Sequence, residues 1–180
     1  PEEYGDYFAW GETEPKDEYT WATYKWGNGT STNMTKYNTI DGKTILEPTD
    51  DAAQVHRGGK WRMPTKAECQ ELIDSCTWEW TTSNNINGYR VTGPNGNSIF
   101  LPAAGYRNGT SLSGAGSSGY YWSSSLRTSN PDYAYYVRFY SSDVYWDYDY
   151  RYYGFIVRPV YGERTKYSYT ITVSANSSSY

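Results

Sequence analysis

The spacing of apolar residues predicts one amphipathic helix in the first half of the chain. Within residues 61–76, Thr65 is a candidate N-cap, and Glu68 three positions later completes a capping box. The apolar stripe that follows at roughly helical spacing consists of Ala67, Leu72, Ile73 and Cys76. This segment therefore carries its own start signal and its own buried face.

Short strands are predicted around this helix. Residues 88–106 alternate about Gly93-Pro94-Asn95-Gly96, which is typical of a hairpin with turn residues at its tip. Further strands are expected at residues 5–10, 119–125, 133–140, around 144–146 and at 154–161. The pattern indicates an α+β fold of mixed and antiparallel short strands with one or two helices and much irregular loop.

Other segments are typical of irregular structure. Residues 12–50 are rich in Thr, Asn, Gly and Lys, and residues 109–119 have the composition of a flexible loop. Between these segments, Asp50 or Asp51 is predicted to cap a short helix that Gly58-Gly59 would end.

Length and composition fit one domain with an aromatic interior. A chain of 180 residues buries one sizeable core, and nothing in its length demands two domains. The chain has 22 Tyr and 8 Trp, so rings must fill much of the core that aliphatic side chains would otherwise fill. We predict a domain over residues 1–162 and a tail over 163–180, which either adds a strand at 167–173 or begins a linker.

Charge and hydropathy limit the classes of partner. The formal net charge is −4, and the acidic cluster in residues 1–20 is expected to be a solvated face. Nucleic-acid binders present clustered Lys and Arg, so no nucleic-acid partner is predicted. No apolar run approaches the roughly 20 residues that a membrane-spanning helix needs, so no direct membrane insertion by this chain is expected. Because the chain lacks a signal peptide and does not begin with Met, we expect a mature or trimmed fragment.

The residues that enzymes use are scarce. His56 is the only histidine, and it lies far in sequence from the serine-rich loops, which disfavours a nucleophile–base pair. Cys69 and Cys76 would be about 10 Å apart on a helix, beyond disulfide reach. We predict no enzymatic activity and no cofactor, and we interpret the two cysteines as separate thiols rather than a metal pair.

Tyrosine is concentrated late in the chain. Eleven of the 22 tyrosines fall between Tyr120 and Tyr153. Because side chains alternate across a strand, the two strands here divide into an inward and an outward set. The predicted inward set is Tyr135, Val137, Phe139, Val144 and Trp146. The predicted outward set is Ala134, Tyr136, Arg138, Tyr140, Asp143, Tyr145 and Asp147.

Four motifs in a fixed order carry a family resemblance. They are WRMPT opening a helix, NSIFLPAAGYRNG, YYWSSS and YGFIVRPV, within residues 4–161. This order resembles gut-bacterial surface proteins of Bacteroides type with a C-type-lectin-like fold, related to its formylglycine-generating-enzyme branch. Within it, the pattern is most similar to the variable proteins of diversity-generating retroelements, in which a reverse transcriptase with adenine-directed errors rewrites chosen codons near the C-terminus.

The resemblance implies a rigid scaffold whose rewritten side chains form an exposed face for an unknown macromolecular ligand, a protein or a glycan. It also implies an extracellular or cell-surface location, with a phage particle as an alternative. The predicted ligand-binding set is Arg127, Asp132, Tyr133, Tyr136, Arg138, Tyr140, Asp143, Tyr145, Asp147, Tyr148, Asp149, Tyr150, Tyr152 and Tyr153. The scaffold set that the family motif implies is Trp122, Tyr135, Val137, Phe139, Val144, Trp146, Gly154, Val157 and Arg158.

Residue chemistry agrees with such a face. Tyr offers a large amphipathic contact area with two torsions to fix, Arg adds forked donors and Asp adds acceptors. An Asn codon with both adenines randomised yields Tyr, Asp, Ser and Arg but never Glu, Lys, Gln or Met, and none of these four occurs between Trp80 and Gly162. That absence begins upstream of the predicted variable stretch, so part of it is compositional bias.

Other interpretations of the same residues remain open. The tyrosines are also compatible with an aromatic sheet core, with a carbohydrate-binding module that stacks rings on sugars, or with a structural domain of a surface fibre. Asp143, Asp147 and Asp149 supply oxygen atoms of the kind calcium prefers, but no glycine-turned loop or bidentate Glu accompanies them. We therefore predict no metal site.

Overall fold

Strands make up most of the regular structure in the computed structural model, which describes residues 3–164. The strands are β1 Tyr7–Phe8, β2 Trp61–Arg62, β3 Thr77–Ser83, β4 Ile86–Thr92, β5 Ser98–Pro102, β6 Ala104–Asn108, β7 Ser111–Ala115, β8 Ser118–Leu126, β9 Tyr133–Tyr140, β10 Asp143–Tyr150, β11 Phe155–Ile156 and β12 Val160–Tyr161. The helices are a 3-10 helix at Pro48–Asp50, α1 at Ala52–Arg57 and α2 at Lys66–Ser75. The α+β class is confirmed.

The main sheet has seven strands and is built around β8. Its central path runs β1-β11-β8-β6-β7, and β8 also pairs with β9, which pairs with β10. β8 is parallel to β6 and β11 and antiparallel to β9. Separate small sheets hold β3-β4-β5 and β12-β2.

Both predicted helices are confirmed, because their signals are local. Asp51 caps α1 by accepting from the Gln54 N–H at 3.1 Å, and Gly58 follows the last turn with φ 65°. In α2 the Thr65 hydroxyl accepts from the Glu68 N–H at 3.2 Å, while the Glu68 carboxylate accepts from the Thr65 N–H at 2.8 Å. The long irregular segment over residues 12–50 is present apart from the 3-10 helix at its end.

Three strand predictions need correction. β3 was not expected; it joins β4 through Asn84-Asn85, whose φ angles of 48° and 64° make a tight turn. The flexible loop expected at residues 109–119 is wrong, because β7 lies there and pairs with β6. A side chain at Gly105 would place its Cβ 2.1 Å from the Ser113 carbonyl oxygen, so glycine here permits close strand contact rather than mobility. The single strand expected at 154–161 is two strands, β11 and β12, separated by residues 157–159.

Aromatic side chains fill the core on both faces of the main sheet, as the composition predicted. One cluster includes Tyr121, Val137 and Phe139 and is covered in part by Leu72 and Ile73 of α2. The other includes Trp122 and Phe155, whose rings stack with centroids 4.1 Å apart. A core of this kind buries polar ring atoms, which need partners.

Those polar ring atoms donate to main-chain carbonyl groups distant in sequence. The Trp10 indole N–H donates to the Ser123 carbonyl oxygen, and the Trp122 indole N–H donates to that of Phe8, both at 2.8 Å. The Tyr121 hydroxyl donates to the Pro102 carbonyl oxygen at 2.6 Å. These bonds tie the N-terminal strand to β8 and the β5 end to the sheet.

The predicted outward orientation of Tyr136 and Ala134 is wrong. Their side chains are 1% and 0% exposed, because β9 is covered on both faces at this point. Tyr136 packs against Tyr120, Trp122 and Phe155. Strand alternation assigns the residues of β9 to its two faces correctly, but it does not show whether either face is exposed to solvent.

The extra strand considered at 167–173 lies outside the described residues. No helix within residues 3–164 has the length and apolar character that crossing a membrane requires.

Candidate functional site

The β9–β10 hairpin carries most of the predicted ligand-binding residues. Its turn is Ser141-Ser142, and the register runs from Tyr140 opposite Asp143 to Tyr133 opposite Tyr150. Residues directly opposite each other share a face, so the register divides the hairpin into two surfaces. The α2 face carries Tyr133, Tyr135, Val137, Phe139, Val144, Trp146, Tyr148 and Tyr150. The acidic face carries Ala134, Tyr136, Arg138, Tyr140, Asp143, Tyr145, Asp147 and Asp149.

A continuous row of rings covers the outer part of the α2 face. We call this row the aromatic strip; in spatial order it consists of Trp146, Tyr135, Tyr148, Tyr133, Tyr150, Tyr152 and Trp21. Successive ring centroids are 5.6, 6.2, 5.7, 4.6, 5.7 and 4.9 Å apart. Tyr148 is the most open of these rings, at 37% exposure, and the others are half-buried. The rings support one another and leave partial surface for contact.

Two cations lie on the strip. The Lys66 ammonium group is 3.5 Å from the Trp146 ring centroid and 4.3 Å from that of Tyr135. The Arg127 guanidinium group is 3.7 Å from the Tyr148 centroid. Neither side chain forms an ion pair with a carboxylate among residues 3–164. Their attraction to the rings holds them in place while their N–H donors stay available to a ligand.

Tyr133 and Tyr150 form the tightest pair in the strip. Their rings stack with an interplanar angle of 21°, and the Tyr133 hydroxyl is hydrogen-bonded to Tyr150. That hydrogen bond, with burial, raises the pKa of Tyr133 to about 12. The Tyr133 phenol therefore stays a neutral donor and acceptor at ordinary pH.

The acidic face is open toward the hairpin turn and closed toward its root. Arg138 lies between the rings of Tyr120 and Tyr140, at 5.2 and 4.7 Å from their centroids, and 4.0 Å from the Asp147 carboxylate. Burial raises the pKa of Asp149, and the neighbouring Asp147 carboxylate adds to that rise. Three acids against one arginine make this face net negative, whereas the charged groups that lie over the aromatic strip, Lys66 and Arg127, are cationic.

The remaining predicted residues lie at the hairpin root. Asp132 is half-buried, burial raises its pKa, and its carbonyl oxygen accepts from the Arg151 N–H at 3.0 Å. Tyr153 packs on Tyr106 and Phe155, away from the open end of the hairpin, so it belongs with the core cluster. The predicted set thus falls on two faces and a root rather than on one surface.

Sequence reasoning missed Arg151, which is fully buried beneath the hairpin root. Its guanidinium group donates to the Tyr24 hydroxyl at 2.8 Å and to the carbonyl oxygens of Tyr37, Pro131 and Lys36 at 3.1, 2.8 and 3.0 Å. The ring of Trp10 lies 4.8 Å away. Nothing in the run DYDYRYY distinguishes this arginine from an exposed one, because all of its partners are remote in sequence.

The sequence model of the family described as the Lcl C-terminal domain matches residues 8–161, which include every element of the main sheet but the first residue of β1. The chain belongs to this family. No curated protein and no solved structure matches the chain.

The Lcl C-terminal domain is a variable, non-catalytic domain of the ligand-binding or adhesin type. This membership fits the resemblance to variable proteins of retroelements at the level of the family. The Lcl C-terminal domain described here also holds two free thiols, as predicted from their spacing, and Cys69 is buried. Within residues 3–164 no group of three or more His, Cys, Asp or Glu side chains is placed to hold a metal ion.

Proposed function

We propose that this Lcl C-terminal domain is a non-enzymatic receptor or adhesin domain that binds a macromolecular ligand through the β9–β10 hairpin. The aromatic strip with its two cations carries this proposal. Half-exposed rings and unpaired cationic donors on a rigid sheet are what protein-binding surfaces use as central contacts.

The residues that we propose to contact the ligand or to support the contact surface are the predicted ligand-binding set, without Tyr136 and with Lys66 added. Arg127, Tyr133, Tyr148, Tyr150 and Tyr152 form the strip side, and Lys66 joins them. Arg138, Tyr140, Asp143, Tyr145, Asp147 and Asp149 form the acidic side, and Asp132 and Tyr153 support the root. Tyr136 is removed because it is sealed in the core.

The finer identity of the domain is part of the same proposal. A C-type-lectin-like frame related to formylglycine-generating enzymes, diversification by a retroelement, and a binding domain spanning residues 1–162 are supported by the motif order and the α+β architecture. Association of Lcl-type domains with surfaces or phage tails supports an extracellular, cell-surface or phage location.

The sugar-stacking alternative has less support. Carbohydrate modules need open ring faces, but Lys66 lies over Trp146 and Arg127 lies over Tyr148. The cations occupy the planes on which a sugar would stack, so a ligand meets donors and ring edges first.

Binding of the labelled domain to intact bacterial and animal cells tests the proposal. The variant K66A/R127A/Y148S removes the two cations and the most exposed ring of the strip. We expect its apparent affinity for the cells to fall at least about tenfold, as when a cluster of hot-spot residues is removed from an interface. Protease and periodate treatment of the cells distinguishes a protein ligand from a glycan ligand.

The chain offers a matched control in a second cation–aromatic patch. Arg57 lies 5.4 Å from the Trp61 ring, and Trp61 packs on Tyr161, which is 66% exposed. R57A/K60A/Y161S makes the same kinds of change away from the hairpin and should bind like the wild type. Equal loss in both variants, or no wild-type binding to any cell, would contradict the proposed function.

A further inference from the structure

The free edge of β10 is a place where another strand could add. β10 has eight residues and, within residues 3–164, pairs with β9 alone. Unpaired strand edges present N–H and C=O groups that template pairing with another chain. The valine, tryptophan and tyrosine content of β10 raises its tendency to form such pairs.

The hairpin register shows which backbone groups face this edge. Tyr140 and Asp143 close the two-residue turn, so the backbone groups of Asp143, Tyr145 and every second residue after them point toward β9. The groups that point outward belong to Val144, Trp146, Tyr148 and Tyr150. Four N–H donors are therefore directed away from the sheet.

Three of these four donors are satisfied by the aspartate that precedes them. Asp143 accepts from the Val144 N–H at 2.9 Å, Asp147 from the Tyr148 N–H at 2.9 Å and Asp149 from the Tyr150 N–H at 2.8 Å. Trp146 follows Tyr145, which has no acceptor in that position. The three carboxylates therefore occupy N–H donors with which a further strand would pair.

The partner that this arrangement opposes most directly is a second copy of the chain. Antiparallel pairing of two β10 edges must set outward groups against outward groups. In the two most central registers this places Asp147 opposite its own copy, or Asp149 opposite Asp143. Like charges directly opposite each other destabilise strand pairing.

We propose that Asp143, Asp147 and Asp149 close the β10 edge against strand addition, and that edge-to-edge pairing of two copies is what they prevent. This role is separate from ligand contact and does not rest on the proposed function. It explains why Asp143, Asp147 and Asp149 each precede a residue whose N–H group points outward.

Sedimentation analysis over a concentration series tests the proposal on the full chain. D143A/D147A/D149A removes the caps and three charges, and its self-association constant should rise at least about tenfold over the wild type. Amides 144, 146, 148 and 150 should gain protection from hydrogen exchange in the associated state.

Two matched variants separate the caps from charge. E14A/D17A/E18A removes three exposed acids near the N-terminus, so both triple variants have a net charge of −4 + 3 = −1. D143N/D147N/D149N loses the charges but keeps side-chain oxygens that can cap. We expect the N-terminal variant to behave as the wild type. The asparagine variant keeps the caps but loses the like-charge repulsion, and it should associate clearly less than the alanine variant. Association of either to the level of the alanine variant would overturn the proposal.

Hydrogen exchange in the wild type gives a measurement that does not depend on the variants folding. After correction for intrinsic rates, the Tyr148 amide should exchange at least about tenfold more slowly than the Trp146 amide, because only the first is hydrogen-bonded. Equal rates, or an alanine variant that stays at the wild-type state while folded, would show that the edge is not closed by these caps.

Discussion

Individual tyrosines in the late segment have different surroundings although the sequence makes them look alike. Tyr136 is sealed among Tyr120, Trp122 and Phe155, whereas Tyr148 stands at the open side of the strip under Arg127. The contribution of each ring to stability should follow its burial rather than its residue type.

Replacing Tyr136 by Ala should lower the free energy of unfolding by about 3 kcal/mol or more, because it leaves a cavity in a closed core. Replacing Tyr148 by Ala should cost about 1 kcal/mol or less, the scale of one exposed cation–ring contact. Urea denaturation of the two variants measures the difference. Similar costs would mean that the burial difference between these rings does not hold in solution.

Residue-level prediction from sequence succeeded where neighbours in the chain decide the outcome. Thr65 and Glu68 identify a helix start because both partners of the capping box lie within four positions. Tyr136 and Arg151 could not be placed, because the residues that cover them include one that lies 127 positions away in sequence. Strand alternation carries no information on coverage.

At the scale of elements, the β6–β7 pair shows how composition misleads. The run GTSLSGAGSSG is typical of a mobile loop, but its small residues let two strands approach closely. Gly105 and Gly109 both have positive φ, at 65° and 57°; only Gly105 is enclosed.

These two glycines give a matched test of that interpretation. Gly109→Ala should cost about 1 kcal/mol, which is the strain of a left-handed alanine with open space around it. Gly105→Ala adds a clash with the Ser113 carbonyl oxygen and should cost clearly more, since β7 must move away from β6. Thermal denaturation of both variants compares them, and equal losses would favour a loose loop over a packed pair.

The element pattern was otherwise predictable to the extent that it is local. The β4–β5 hairpin, β9 and both helices were located from turn residues, alternation and caps. β3 was missed because its WEWTT sequence follows the helix without a break signal, and its pairing with β4 depends on a turn of two asparagines in the left-handed region.

The whole molecule depends on neutral phenols in its interior. Burial raises the pKa of Tyr7 to about 12, and it also raises the pKa values of Tyr24, Tyr121 and Tyr136. In the unfolded chain these groups ionise near pH 10. Between that pH and the raised values, the unfolded state binds fewer protons than the folded state, so stability falls as pH rises.

We therefore expect the urea midpoint to be lower at about pH 11 than at about pH 8, and tyrosinate absorbance to appear together with unfolding rather than before it. The comparison is made on the same protein at constant ionic strength. A midpoint that does not change, with most phenols titrating in the folded state, would contradict the sealed aromatic core.

The buried guanidinium group of Arg151 fixes the backbone at the root of the hairpin, and this is useful for protein engineering. Arg151 holds the segments before β9 and after β10 from below, through bonds to main-chain carbonyl groups that do not depend on which side chains the hairpin displays. Substitutions along the strip can then change recognition while the path of the backbone stays the same. The domain is accordingly suited to laboratory evolution of new binders, with the open strip positions randomised and the anchoring arginine kept.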